Sequence, residues 1–311
     1  FLCRDGVNTR PSKAARGMTR RSSNAKRLKS RGGDWMTGGL AATVVLNGLT
    51  LAALYFIVAS GFSLIFGLMR TVNMAHGSLY MLGAYVGYAV FEPLYDQDVW
   101  YAWHVAILAG IASAALFGVL MQVTVLGWMQ GQELRQALVT IGVSIIVADQ
   151  LLAFFGGTSR QFFAPDAIFG STEVPGVGRY PTFRLVQIGI AVAVGVALWL
   201  LLNKTKLGLM IRAGVDDRQM LAATGVNVPL VSLAVFALGA GLAGLGGVIG
   251  STAQPLVQGV DARFLLTSLV VVIVGGMGSI AGTAIGAVLV GLAEQVGQAM
   301  FPTYSVILTF A

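Results

Sequence analysis

Residues 40–67 read LAATVVLNGLTLAALYFIVASGFSLIFG, an uninterrupted run with no charged side chain. A helix needs about 20 mostly apolar residues to cross the hydrocarbon layer of a bilayer, so this stretch is long enough to cross by itself. Further runs follow at about 78–91, 104–126, 134–156, 184–203, 228–250 and 264–296, and another begins near 304. Over the 311 residues, 56% are apolar and 11% charged, with a mean hydropathy of +0.79. Soluble domains carry roughly 25% charged residues; a surface this poor in charge faces lipid. The 41 glycines fit the same picture, because small residues let membrane helices approach closely. The fold class expected is all-α, a polytopic transmembrane bundle of about eight hydrophobic segments.

The net charge of +7 is concentrated in the first 34 residues, which hold ten Lys/Arg against Asp5 and Asp34; the rest holds ten against eleven acids. Residues 1–35 are therefore read as a basic polar tail, unstructured or extraneous to the native chain, ahead of a transmembrane domain at 36–311 whose last span stops short. A nucleic-acid role for the tail is the weaker reading, since basic segments before a first span more often mark the cytoplasmic side. Cys3 is the one cysteine, and His76 and His104 the two histidines, so no disulfide, cysteine metal cluster or all-histidine zinc site is expected. No signal-peptide cleavage pattern follows the first apolar run.

The acidic loop 92–103 (Glu92, Asp96, Asp98) suits the outer side and the 204–227 loop (Lys204, Lys206, Arg212, Arg218) the cytoplasm, with 157–183 outside despite Arg160 and Arg179. Three spans between the first two loops satisfy this. Parity fails at the front, and there are two repairs. In the preferred one, 60–91 enters from outside, turns near Asn73–Gly77 and returns; in the other, the N-terminus lies outside. A second interruption stands at Gly275–Ser279. Gly83 and Gly87 follow the first break, and Gly282 and Gly286 the second, at spacings that suit helix packing. Broken segments in corresponding halves mark a solute path at a repeat interface, and an internal repeat is expected.

Polar groups within apolar runs tend to face the interior or an aqueous cavity. Candidates for the path are Asn47, Asn73, His76, Gly77, Gly278 and Ser279, with His76 favoured as a structural lock for its turn. Asp149 and Glu294, each near the end of its run, are expected at the membrane interface. In the stretch from Lys206 to Pro229, Asp216 and Asp217 open a short helical pattern, Gly225 closes it and Pro229 opens the next span. A charged start, small residues and a terminal glycine suit a short helix seated in a partner's groove. No nucleotide-binding loop, dinucleotide fingerprint or hydrolase elbow occurs, and no cofactor is implied.

At these stretches the sequence resembles the membrane permeases of branched-chain amino acid ABC importers, the LivH-like group. The resemblance lies in Asn47–Gly67, in Val72–Gly77 with Tyr80–Tyr85, in the Arg212–Asn227 loop and in Gly275–Gly282. It implies a catalytically inert subunit in a bacterial inner membrane. Its partners would be a second related permease, two cytoplasmic ATPase subunits, a periplasmic or tethered solute-binding protein and lipid. Arg212, Asp216, Asp217, Ala222, Ala223, Gly225 and Asn227 would form the loop that meets the ATPase. Ser78 stands where the family pattern leads one to expect a glutamate. Related permeases import urea or short amides, which is one alternative; an ion-coupled secondary transporter is another, with only Asp149 and Glu294 to serve it. A membrane-embedded enzyme lacks any clustered constellation.

Overall fold

The computed structural model describes residues 13–70, 72–129 and 131–300, with side chains from residue 39 onward. The first twelve residues of the basic tail and the run near 304 lie outside the described residues. The expected tail boundary falls within α1 (Lys13–Met69), whose membrane-length part is Gly39–Met69. There follow α2 (His76–Tyr95), α3 (Ala102–Thr124), a 3-10 turn (Leu126–Met129) and α4 (Glu133–Phe155). A hairpin, β1 (Ser171–Val174) and β2 (Gly178–Pro181), leads into α5 (Thr182–Lys204). Then come α6 (Lys206–Asp216), α7 (Arg218–Ala223), α8 (Val228–Ala253), α9 (Val260–Gly275) and α10 (Ile280–Met300). Six of these are long and apolar enough to cross a membrane: α1, α3, α4, α5, α8 and α10.

The 264–296 run is two antiparallel helices, not one broken pass. Gly275 and Gly282 lie backbone to backbone where α9 turns into α10. The preferred re-entrant reading of 60–91 is also corrected. Residues 60–69 continue α1 without interruption, and the break is confined to 70–75. Gly39 lies against the Gly176 carbonyl of the hairpin, whereas Arg70 at the other end of α1 reaches the Val215 carbonyl of α6. The α1 segment therefore begins at the end that holds the 92–103 loop and the hairpin, opposite the 204–227 loop. That is the second repair, and it restores parity.

Two helix triplets, α1–α2–α3 and α8–α9–α10, pack as inverted counterparts. α1 and α8 run antiparallel and cross at Gly61 and Gly239, each of whose Cβ positions is filled by the other's backbone. α1 then packs along α10 (Gly48 and Ala52 on Gly291) as α8 packs along α3 (Gly244 on Gly110 and Ala114, Ala240 on Gly118). In this scheme the counterpart of the 70–75 break is 254–259, between α8 and α9, rather than Gly275–Ser279. Its cause is local: Pro255 forces Gln254 into extended backbone (φ −140°, ψ 150°), and Gly259 takes φ 85° to open α9.

Tyr55, Ile57, Phe62, Tyr85, Phe236 and Ile249 fill the centre between the triplets. Outside them, α4 turns Leu134, Leu138, Ile145 and Ile146 outward, and α5 turns Val192, Val196 and Trp199 outward, as lipid-facing helices do.

Candidate translocation site

At the α1–α2 break the chain leaves the helical ladder, and side chains take over its polar groups. Asn73 Oδ1 accepts the Ala75 N–H at 3.0 Å, the Asn73 carbonyl accepts the His76 N–H at 3.2 Å, and the Met74 N–H donates to Thr140 Oγ1 of α4 at 3.0 Å. His76 is fully buried; its Nε2–H donates to the Val58 carbonyl of α1 at 3.0 Å, and the Phe62 ring meets the imidazole edge-on. The imidazole thus ties the start of α2 to the middle of α1. Ser78 is buried against the Ser144 carbonyl of α4, so no carboxylate stands there.

The start of α2 meets the start of α9. A Cβ on Gly77 would occupy the position of the Asp261 carbonyl. Val58 is eleven residues above Met69 in α1 and Asp261 fourteen residues before Gly275 in α9, rises of about 16 Å and 21 Å. Two helix N-termini therefore come together near mid-depth, one helix leading to each end of the bundle.

Towards the hairpin end, α1, α5, α8 and α10 enclose a polar cavity of about 290 Å³ lined by Asn47, Thr50, Arg184, Gln187, Gln254 and Gln298. Asn47 Oδ1 accepts from Tyr180 and from Arg184, both at 2.9 Å. The buried Gln187 donates to the Thr50 carbonyl, while its Oε1 has no partner among the described residues. Gln298 also donates to Glu294. Glu294 is buried, not interfacial as its place in the sequence implied; its carboxylate accepts from Tyr55, Arg263 and Gln298. Asp149 is exposed on α4.

Of the proposed path residues, the structure brings Asn73, His76 and Gly77 together at the break and sets Asn47 apart in the cavity. Gly278 and Ser279 lie at the opposite end of the bundle. Gly278 (φ 84°) abuts Gly67, and Ser279 Oγ accepts the Gly282 N–H to cap α10. Gly83 sits against Gly244 and Gly110, Gly87 against Ala106 and Val248, Gly282 against Gly275, and Gly286 against Val271. Arg184, Gln187, Gln298, Tyr55 and Arg263 were not legible as site residues, because single polar groups on apolar helices carry no motif.

At the same end as Gly278, Asp217 caps α7 by accepting from the Gln219 and Met220 N–H groups, and Asn227 caps α8 through the Leu230 N–H. Gly225 takes φ 84° just beyond α7. Asp216, Met220, Ala222, Ala223 and Gly225 are exposed, and Arg212 donates to Asn203. Gly214 of α6 packs on Leu68 of α1, and Val215 approaches Gly67. The exposed helix α7 is thereby joined through α6 to the lower end of α1.

Stacked apolar helices with two breaks meeting inside define a multi-pass membrane permease. The chain belongs to the family of permease components of branched-chain amino acid transport systems, whose model matches residues 44–311; it is a transport component, not an enzyme. It is 24% identical to the high-affinity branched-chain amino acid transport system permease protein LivH of Salmonella typhimurium, over 86% of this chain and 89% of the relative. It is 27% identical to BraD of Pseudomonas aeruginosa, a permease protein of the same description (83% and 86% covered). With the fructose import permease protein FruF of Bifidobacterium longum it shares 25% identity (83% and 71% covered). No solved structure matches.

Proposed function

We propose that this chain is the membrane-spanning subunit of an ATP-driven ABC importer for branched-chain amino acids, resident in a bacterial inner membrane. It pairs with a second permease, takes solute from a periplasmic or tethered binding protein, and docks two ATPase subunits on the α6–α7 face. The observation that carries this is the meeting of the α2 and α9 N-termini inside the bundle (Gly77 on Asp261). Discontinuous helices related by inverted repeats form solute sites near the membrane midplane, with helix N-termini turned to anionic solute groups.

Orientation follows from charge. The end bearing α6 and α7 holds Arg70, Arg135, Lys204, Lys206, Arg212 and Arg218 against Glu133, Asp216 and Asp217, a balance of +3. Leaving out the basic tail ahead of the α1 span, the hairpin end holds Arg160, Arg179 and Arg184 against Glu92, Asp96, Asp98, Asp166 and Glu173, a balance of −2. Excess Lys/Arg favours the cytoplasm. The chain has no nucleotide-binding loop, so a separate subunit supplies ATP hydrolysis, and the small exposed residues of α7 suit its groove.

The test is uptake of leucine, fructose and urea in a strain lacking this chain, with and without the ATPase subunit. ATP-dependent leucine uptake restored by the chain is the expected result. Restoration with only fructose or urea would reassign the solute, and uptake without the ATPase subunit would replace the ABC assignment with a secondary transporter.

A further inference from the structure

Arg263 lies in the first turn of α9, and its side chain is 50% exposed, although Glu294, to which it donates at 2.8 Å, is 8% exposed. Twelve residues separate it from Gly275, a rise of about 18 Å. Glu294 stands fourteen residues above Ile280, a rise of about 21 Å. Both measures put the guanidinium inside a hydrocarbon layer about 30 Å thick. A cation turned outward into lipid at that depth is costly, and such groups face the bundle interior or water.

The pair is more than a neutralised charge. Tyr55 and Gln298 also donate to the Glu294 carboxylate, so Arg263 is one of three donors to it. Gln298 lines the polar cavity at the hairpin end, which makes the pair continuous with that cavity. A guanidinium is a planar fork of five donors that matches a carboxylate through two parallel hydrogen bonds. Nη2 donates to Glu294 and the group also lies beside Tyr55, and the half-exposed guanidinium keeps further N–H donors for the exposed side. Leu266, one turn along the same face of α9, is exposed beside it.

We propose that Arg263 lines a water-filled stretch of the solute path, whose other wall this chain does not supply, and binds the carboxylate of the passing amino acid with Leu266 against its side chain. The proposal rests on the amino-acid permease reading above. Glu294 has a purpose in it: by neutralising Arg263 it keeps the carboxylate contact weak enough for release, as conduction requires.

The test uses the assembled transporter in membranes, on a Cys3→Ser background that removes the one cysteine of this sequence. Ala262→Cys places a thiol on the exposed residue beside Arg263 and leaves the ion pair intact. A charged thiol reagent, which reacts only where water reaches, is expected to label it much faster than Ile285→Cys on the apolar face of α10. Excess leucine should slow that labelling, and leucinamide, which lacks the carboxylate, should not. Labelling only after denaturation would overturn the water-filled path whatever the solute; equal protection by leucinamide would overturn the carboxylate contact. Arg263→Gln should lower leucine uptake about tenfold or more, the size of one charge-assisted contact, and Arg263→Lys should restore most of it at equal membrane levels. Unchanged uptake in Arg263→Gln would also overturn the proposal. A parent transporter without leucine uptake would sink the functional reading, while the labelling of Ala262→Cys would still report on water at Arg263.

Discussion

Glu294 shows how a single residue escapes a linear reading. It stands six residues before the end of α10, where snorkelling to the interface is the cheaper assumption, yet Tyr55, Arg263 and Gln298 converge on it from three turns of structure. Only tertiary geometry supplies Tyr55 and Arg263, whereas Gln298 is one turn on in the same helix. Glu294→Leu leaves the buried Tyr55 hydroxyl without its acceptor, a loss of about 1–3 kcal/mol; a clear fall in melting temperature in detergent is the expected outcome. Glu294→Gln keeps a hydrogen-bonding group and should fall much less. Gly225 was legible, because a glycine after Leu-Ala-Ala reads as a helix stop. Its φ of 84° with open space around it separates backbone from sterics. Gly225→Asn tolerates that conformation, while Gly225→Val pays about 1–2 kcal/mol for it. Coupled ATPase activity should survive the first and fall in the second, with both proteins in the membrane; equal coupling in the two would remove Gly225 from the docking loop.

Among the elements, the long spans were legible because a lipid-facing helix has to be apolar for about 20 residues, and α3, α4, α5 and α8 lie where the runs do. The short pieces were not. α6 carries Lys206 and Arg212 and reads as a loop until its Leu207, Ile211 and Gly214 are seen packed on the bundle. The β1–β2 hairpin has only four residues a strand. The break at 70–75 was legible, but the one at 254–259, set by Pro255, was not, so Gly275–Ser279 stood in its place as the counterpart. Packing distinguishes the glycines that α-helices need. Gly61→Leu drives a side chain into the Gly239 backbone and should leave little folded protein in the membrane. Gly142→Leu and Gly189→Leu, with nothing within 4 Å of the added Cβ, should leave membrane levels near those of the parent. Similar losses at all three positions would show that the α1–α8 crossing is not the tight contact described.

For the whole molecule, orientation depended on parity, and parity was undone by the basic tail. The loops of the body follow charge to opposite ends; the tail, read by the same rule, pointed the first helix the wrong way. On the Cys3→Ser background, Glu173→Cys in the hairpin should react with an impermeant thiol reagent in intact cells, and Gln219→Cys in α7 only after the membrane is opened. The reverse pattern would invert the molecule and remove the ATPase from α7. At its centre, the Gly61–Gly239 crossing holds backbone against backbone, with Ile65 and Leu242 packed beside the two glycines. Such a contact is a fulcrum: tilting one triplet on the other spreads them at one end as it pinches them at the other, so a push delivered at α6 beneath Leu68 is felt, with opposite sense, at the far rim.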